Sequence, residues 1–182
     1  MTTENPNKID KTTLNRLNSE NTDTAIEAIS ELKEKGHAGY VPILIDLLHA
    51  SDNPEIKSRV FRLLAELKQS DAIPLIIDAI KDKKYANERQ QLVSACWENG
   101  LDYSQHLSLF VDLVIENDLE IAFEAYTVIT NMSGKISKAI ADKESEKLKR
   151  AMLEADDQQK QLMHDLLDFL PAFERGIEPQ TF

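Results

Sequence analysis

Val41-Pro42-Ile43-Leu44-Ile45-Asp46-Leu47-Leu48 returns 32 residues later as Ile73-Pro74-Leu75-Ile76-Ile77-Asp78-Ala79-Ile80, and 34 residues after that as Leu107-Ser108-Leu109-Phe110-Val111-Asp112-Leu113-Val114. An apolar residue, Pro or Ser, an apolar run, Asp and a further apolar residue form a pattern too specific to recur three times by chance. A period in the thirties is the length of a two-helix unit. One such pair cannot bury its apolar face alone, so neighbouring pairs must stack and share a core.

Working outward, the apolar residues keep helical spacing. Ala25, Ile26, Ile29 and Leu32 form one stripe, and Ile56, Val60, Leu63, Leu64 and Leu67 a second. Ile121, Ala122, Ala125, Val128, Ile129 and Met132 form a third. Gly36, Gly39, Gly100 and Gly134 all fall between stripes, where a glycine ends a helix without steric cost. Asp52 with Glu55, Asp102 with Gln105, and Asp156 with Gln159 have capping-box spacing, and Pro54 suits a first helical turn. The expectation is ten helices in five pairs, at about 8–35, 39–68, 71–99, 103–132 and 135–170. These make a single repeat domain over 8–170, between a flexible N-terminus (1–7) and a C-terminal tail (171–182).

The unit resembles a HEAT repeat, with a proline in its first helix, an acid at the turn, and a β-branched then a basic residue opening the second. Pro42, Asp52, Ile56 and Lys57 carry that pattern, and the next unit keeps Pro74, Asp82 and Arg89. The third departs from it: Ser108 replaces the proline, and Ala122 stands where a base is expected. The resemblance spans about 20–170, is strongest at 39–82, and extends to uncharacterised bacterial HEAT-like proteins. It implies an all-α, right-handed α–α superhelix whose second helices line a concave groove.

Composition narrows the function. Of 182 residues, 32 are acidic and 21 basic, a net charge of −11 that on average repels polyanions. Cys96 is the sole cysteine, so no intramolecular disulfide forms. His37, His49, His106 and His164 are never three or four residues apart and none precedes a glutamate, so no metal-ligand spacing exists. Cys96 sits in the apolar stripe of Leu92 and Val93 and reads as a small hydrophobe. With no phosphate-cradling glycine loop and no dinucleotide fingerprint, neither an enzyme nor a cofactor is expected. Residues 1–7 carry no apolar core of signal-peptide length, and no apolar run is long enough for a membrane span. A soluble, cytoplasmic protein without membrane contact is the expectation.

Two surface sets are the candidates for binding. Off-stripe residues of the second helices give a groove set: Arg59, Arg62, Arg89, Gln90, Trp97, Glu124 and Thr127. Tryptophan and arginine are enriched at binding hot spots, although Trp97, at the edge of its stripe, reads more readily as core than as groove. The second set is acidic. No Lys or Arg occurs between Arg89 and Lys135, and Asp112, Glu116, Asp118 and Glu120 form a patch suited to a partner with a basic surface. Asp46, Asp78 and Asp112 recur one unit apart, read either as a solvated face or as an acidic ladder. The leading expectation is a protein- or peptide-binding scaffold. The alternatives are nucleic-acid binding through the basic segment 135–150 and, behind it, a modification enzyme of the same solenoid type.

Overall fold

The computed structural model describes residues 9–175, and every regular element among them is helical. The α-helices are α1 (Lys11–Leu17), α2 (Thr22–Lys35), α3 (Val41–Ala50), α4 (Pro54–Ala65) and α5 (Ile73–Lys81). They continue as α6 (Arg89–Asn99), α7 (Leu107–Glu116), α8 (Leu119–Thr130), α9 (Lys138–Ala151) and α10 (Asp157–Arg175). The segment 1–7 lies outside the described residues, as does the tail from 176, whereas α10 runs on past Pro171 to Arg175.

Two compact units divide the chain, Met1–Leu101 and Asp102–Phe182. In the first, α1 packs on α2, α3 on α4 and α5 on α6; the second helices α2, α4 and α6 touch in series, as do α3 and α5. In the second, α7 packs on α8 and α9 on α10, while α7 meets α9 and α8 meets α10. This is the α-solenoid arrangement: like helices stack on like helices, and the apolar face of each pair becomes interior.

The repeated run supplies that interior. Val41, Leu44, Ile45 and Leu48 of α3, Ile76, Ile77 and Ile80 of α5, and Leu107, Phe110, Val111 and Val114 of α7 are all buried. Each such side chain contributes roughly 1.5–3 kcal/mol of transfer free energy. Tyr103 is buried edge-on to Phe110, with ring centroids 5.8 Å apart, and Cys96 is buried with its thiol on the Leu92 carbonyl.

The helix ends differ in detail from the sequence expectation. First helices α3, α5 and α7 are each entered through a three-residue 3₁₀ turn, at Ala38–Tyr40, Ser70–Ala72 and Ser104–His106. Asn53, not Asp52, caps α4, accepting from the N–H groups of Glu55 and Ile56. Asp102 accepts from Ser104 N–H rather than starting a helix at Gln105. Asp156 does cap α10 through Gln159 N–H, but the Gln159 side chain donates to the Val114 and Asn117 carbonyls at the C-terminal end of α7. A side chain with a long-range partner does not return to its own cap.

Candidate functional site

The aligned aspartates come first, because they show what this fold does with surface charge. Lys84 Nζ and the Tyr85 hydroxyl both donate to Asp46, the latter at 2.7 Å. The lysine hydrogen bond, then that of Tyr85, holds the Asp46 carboxyl below its usual range, while Lys84 is raised by the same contact. In the second unit Lys147 Nζ donates to Asp112 at 2.7 Å. Burial pulls the Lys147 ammonium down, but Asp112 and Glu144 outweigh it and the net shift is upward. Two of the three aligned acids therefore take a lysine from the next helix pair of the same unit, whereas Asp78 has no ion pair among the described residues.

Two glutamates, Glu88 and Glu144, are buried. Glu88 is 7% exposed and lies 3.0 Å from His49 Nδ1. Glu144 is fully buried: its Oε1 accepts from the Ser108 hydroxyl at 2.6 Å, and its Oε2 lies 2.7 Å from Lys147 Nζ, a charge contact without hydrogen-bond alignment. Ser108, the departure from the proline pattern, is thus the donor that α9 requires.

Asp102 ties two turns of the second unit together. Its Oδ1 accepts from the N–H groups of Ser104, Ser133 and Gly134 and from the Ser104 hydroxyl. Burial alone would raise this carboxyl, but the four donors prevail and it is lowered. A Cβ on Gly134 would collide with the Asp102 carboxylate and lie 2.7 Å from the Ser104 hydroxyl.

The predicted acidic patch now resolves into parts. Asp112 is taken up by Lys147, and Asp118 caps α8 by accepting from Ile121 N–H at 3.0 Å. Glu116, Asp118 and Glu120 are exposed. Between them the α8 surface carries Leu119, 38% exposed, and Phe123, 55% exposed. The Phe123 ring stacks on Tyr126 at 6.3 Å, which fixes its orientation without covering it. Thr127 donates its hydroxyl to the Phe123 carbonyl and is half-buried, as is Glu124. Phe123 escaped the sequence reading because attention fell on the buried stripe of this helix. The signal was there, in an aromatic between Ala122 and Ala125 but off their face.

The rest of the groove set lies in the first unit. Trp97, read from sequence as either core or groove, is 37% exposed. Arg89 is half-buried and donates Nε to the Ile80 carbonyl at 3.1 Å, so it clasps the end of α5; Gln90 is exposed. Arg59 and Arg62 line a cleft of about 150 Å³ between α2 and α4, together with Lys33 and Glu66. Lys33, Leu63 and Glu66 also border a second cavity of about 230 Å³, which reaches His37, Tyr40 and Leu67. The Lys33–Glu66 ion pair, at 2.7 Å, stands where the two meet, and the lysine hydrogen bond lowers Glu66. His37 was weighed in sequence only as a metal ligand.

The basic segment 135–150 is largely answered by its own surroundings. Lys138 lies 3.6 Å from Asp142, Lys147 contacts Asp112 and Glu144, and Lys149 lies 2.9 Å from Glu146. Among the described residues, no cluster of His, Cys, Asp or Glu could hold a metal ion, and no helix is long and apolar enough to cross a membrane.

A family model described as HEAT repeats matches residues 11–97. Among solved structures, the crystal structure of an engineered protein is 20% identical, with 88% of this chain and 78% of that chain covered and a TM-score of 0.45. No curated protein matches.

Proposed function

For this chain, a HEAT-like repeat protein, we propose the work of a non-catalytic scaffold that holds a protein or peptide partner, with α8 of the second unit as a contact face. HEAT repeats generally act as protein-interaction scaffolds, and this reading rests partly on that analogy of fold. The observation that carries it is Phe123, a large aromatic left 55% exposed on a helix whose neighbouring Glu116, Asp118 and Glu120 are exposed too. An exposed aromatic on a helix that begins among exposed carboxylates suits a basic segment that brings an apolar residue of its own. Apolar contact supplies the anchor, while the field of the acids raises the encounter rate and selects charge.

The charge of the second unit supports the choice. Residues 102–182 hold eight Lys and Arg against sixteen Asp and Glu, a net −8, whereas residues 1–101 hold thirteen against sixteen, a net −3. Nucleic acid is the weaker reading, because four of the five lysines of 135–150 lie within 4.0 Å of a carboxylate.

The test is fluorescence polarisation of the full chain with a labelled amphipathic Lys/Leu peptide and its Glu/Leu counterpart. The basic peptide should bind more tightly and lose affinity with added salt. Phe123→Ser should weaken it roughly 30-fold, the equivalent of about 2 kcal/mol for a hot spot. Equal affinity for both peptides, or indifference to Phe123→Ser, would discard the assignment.

A further inference from the structure

A neutral histidine in the first unit is left with a buried proton and nothing to give it to. Gly39 N–H donates to His37 Nδ1 at 3.1 Å, so Nδ1 is the acceptor and the neutral ring carries its proton on Nε2. That Nε2 is buried and has no hydrogen-bond partner. His37 lines the 230 Å³ cavity, whose aliphatic side, Leu32, Val41, Leu44, Leu63 and Leu67, faces a rim with Lys33, Glu66, Lys68 and Gln69. Leaving a buried donor unsatisfied is costly, so an occupant that brings its own acceptor is favoured. The cavity is smaller than the usual small-molecule pocket of about 300–1,000 Å³, so one bulky side chain fits it better than a cofactor.

The adjoining cleft supplies the second half of the recognition. Its lining holds three cations, Lys33, Arg59 and Arg62, against one carboxylate, Glu66. Glu66 is already matched by Lys33, and Arg59 meets Glu55 only at 3.4 Å between two exposed side chains. The Arg62 side chain makes no hydrogen bond or direct ion pair among the described residues, although its charge helps the Lys33 contact to lower Glu66. In a chain of net charge −11, this is a local excess of positive charge. Arg59, Arg62 and Glu66 follow one face of α4 and its C-cap, a rise of about 10 Å, or about three residues of extended peptide.

We propose that the joined cleft and cavity of the first unit bind an acidic peptide segment carrying one bulky apolar side chain. The side chain enters the cavity and displaces the cover over His37, so that a peptide carbonyl accepts from Nε2–H, and carboxylates about three residues away meet Arg62 and Arg59. Charge complementarity and the unsatisfied donor both select this occupant. The site lies in the first unit and is independent of the α8 face.

The experiment is a titration of the ¹⁵N-labelled full chain, followed by amide and imidazole resonances, with the heptapeptide acetyl-Glu-Glu-Ser-Phe-Ser-Glu-Glu-amide. Its symmetry lets it lie in either direction. It should shift the His37 Nε2–H and the α2 and α4 amides, binding roughly tenfold or more tighter than the version with Ala for Phe or with Lys for Glu. Arg62→Glu, on an exposed position, should lose that advantage with the amide spectrum otherwise unchanged. His37→Asn keeps an acceptor for Gly39 N–H but removes the imidazole donor, and should also weaken binding. Phe123→Ser should change nothing. Equal response to all three peptides, an unmoved His37 signal, or displacement of the heptapeptide by single-stranded oligothymidine acting through Arg59 and Arg62 would each overturn the proposal.

Discussion

Replacing Ser108 by proline, the residue that Pro42 and Pro74 place at the same point of the earlier units, should destabilise the protein. The backbone is ready for it. Leu107 has φ −47° and ψ −46°, close to the −55° and −48° of Val41 and the −52° and −57° of Ile73, the residues preceding those prolines. Position 108 is the second of α7, where the N–H has no intrahelical partner to lose. Restricting the unfolded chain should therefore gain about 0.4–1 kcal/mol. Against this stands the hydrogen bond from Ser108 to the fully buried Glu144, 2.6 Å long. A hydrogen bond to a charged group contributes about 1.5–3 kcal/mol. The loss exceeds the gain, and a net destabilisation of about 1–2 kcal/mol follows.

The comparison that isolates the cause is the same substitution in a Glu144→Met background. There no carboxylate waits for the hydroxyl, so Ser108→Pro should become neutral or stabilising. Urea denaturation followed by circular dichroism measures both differences. Amide exchange across 138–151 should accompany it, because two compact units need not unfold in one step. A Ser108→Pro variant as stable as the native chain, or a penalty unchanged without Glu144, would refute the reasoning.

Gly134→Ala should cost about 1–3 kcal/mol, because its methyl meets the Asp102 carboxylate and the Ser104 hydroxyl, and thermal melts should show it. Gly100→Ala should cost about 1–2 kcal/mol for a different reason, its φ of 68° in open surroundings, and Gly100→Asn should recover part of that loss. Asp102 has a folded pKa below its unfolded value of about 3.9, so its contribution is present above that pH and lost as pH falls through the folded value. The stability gap between the native chain and Asp102→Ala should accordingly narrow in melts below about pH 4.

What could be read in the sequence was what depends on neighbours three or four residues away. The stripes of α2, α4 and α8 follow from such spacing, and so does the repeat itself, because stacking demands the same apolar face each time. What could not be read depends on partners dozens of residues off. Ser108 looked like a lapse from the proline pattern, and only Glu144, 36 residues on, turns it into a requirement. Gln159 had the spacing of a capping box but donates to carbonyls 42 and 45 residues earlier. Arg59 and Arg62 were legible as off-stripe residues of α4, yet their cleft exists only because α2 lies alongside. His37 could not be identified as a donor without knowing that Gly39 occupies its other nitrogen.

The distribution of lysines gives the two surfaces a common logic. Charges further apart than about 8–10 Å are screened at physiological salt, so a local patch matters more to a partner than the net charge does. In the second unit, Lys147 is drawn into Asp112 and Glu144, and Lys149 is matched with Glu146. Both lysines are thus matched by carboxylates of α7 and α9, while Glu116 and Glu120 have no ion pair among the described residues. In the first unit Lys84 is drawn onto Asp46 in the same manner, but Arg62 is left without an ion pair among the described residues. The same device, an aspartate of one pair holding a lysine of the next, ties the stack together and decides which charges remain to meet a partner. Removing it should therefore act on binding as well as on stability. An Asp112→Asn variant would leave Lys147 to Glu144 alone and remove one negative charge from α7, so a basic ligand on α8 should bind more weakly in fluorescence polarisation although residue 112 belongs to the helix before it.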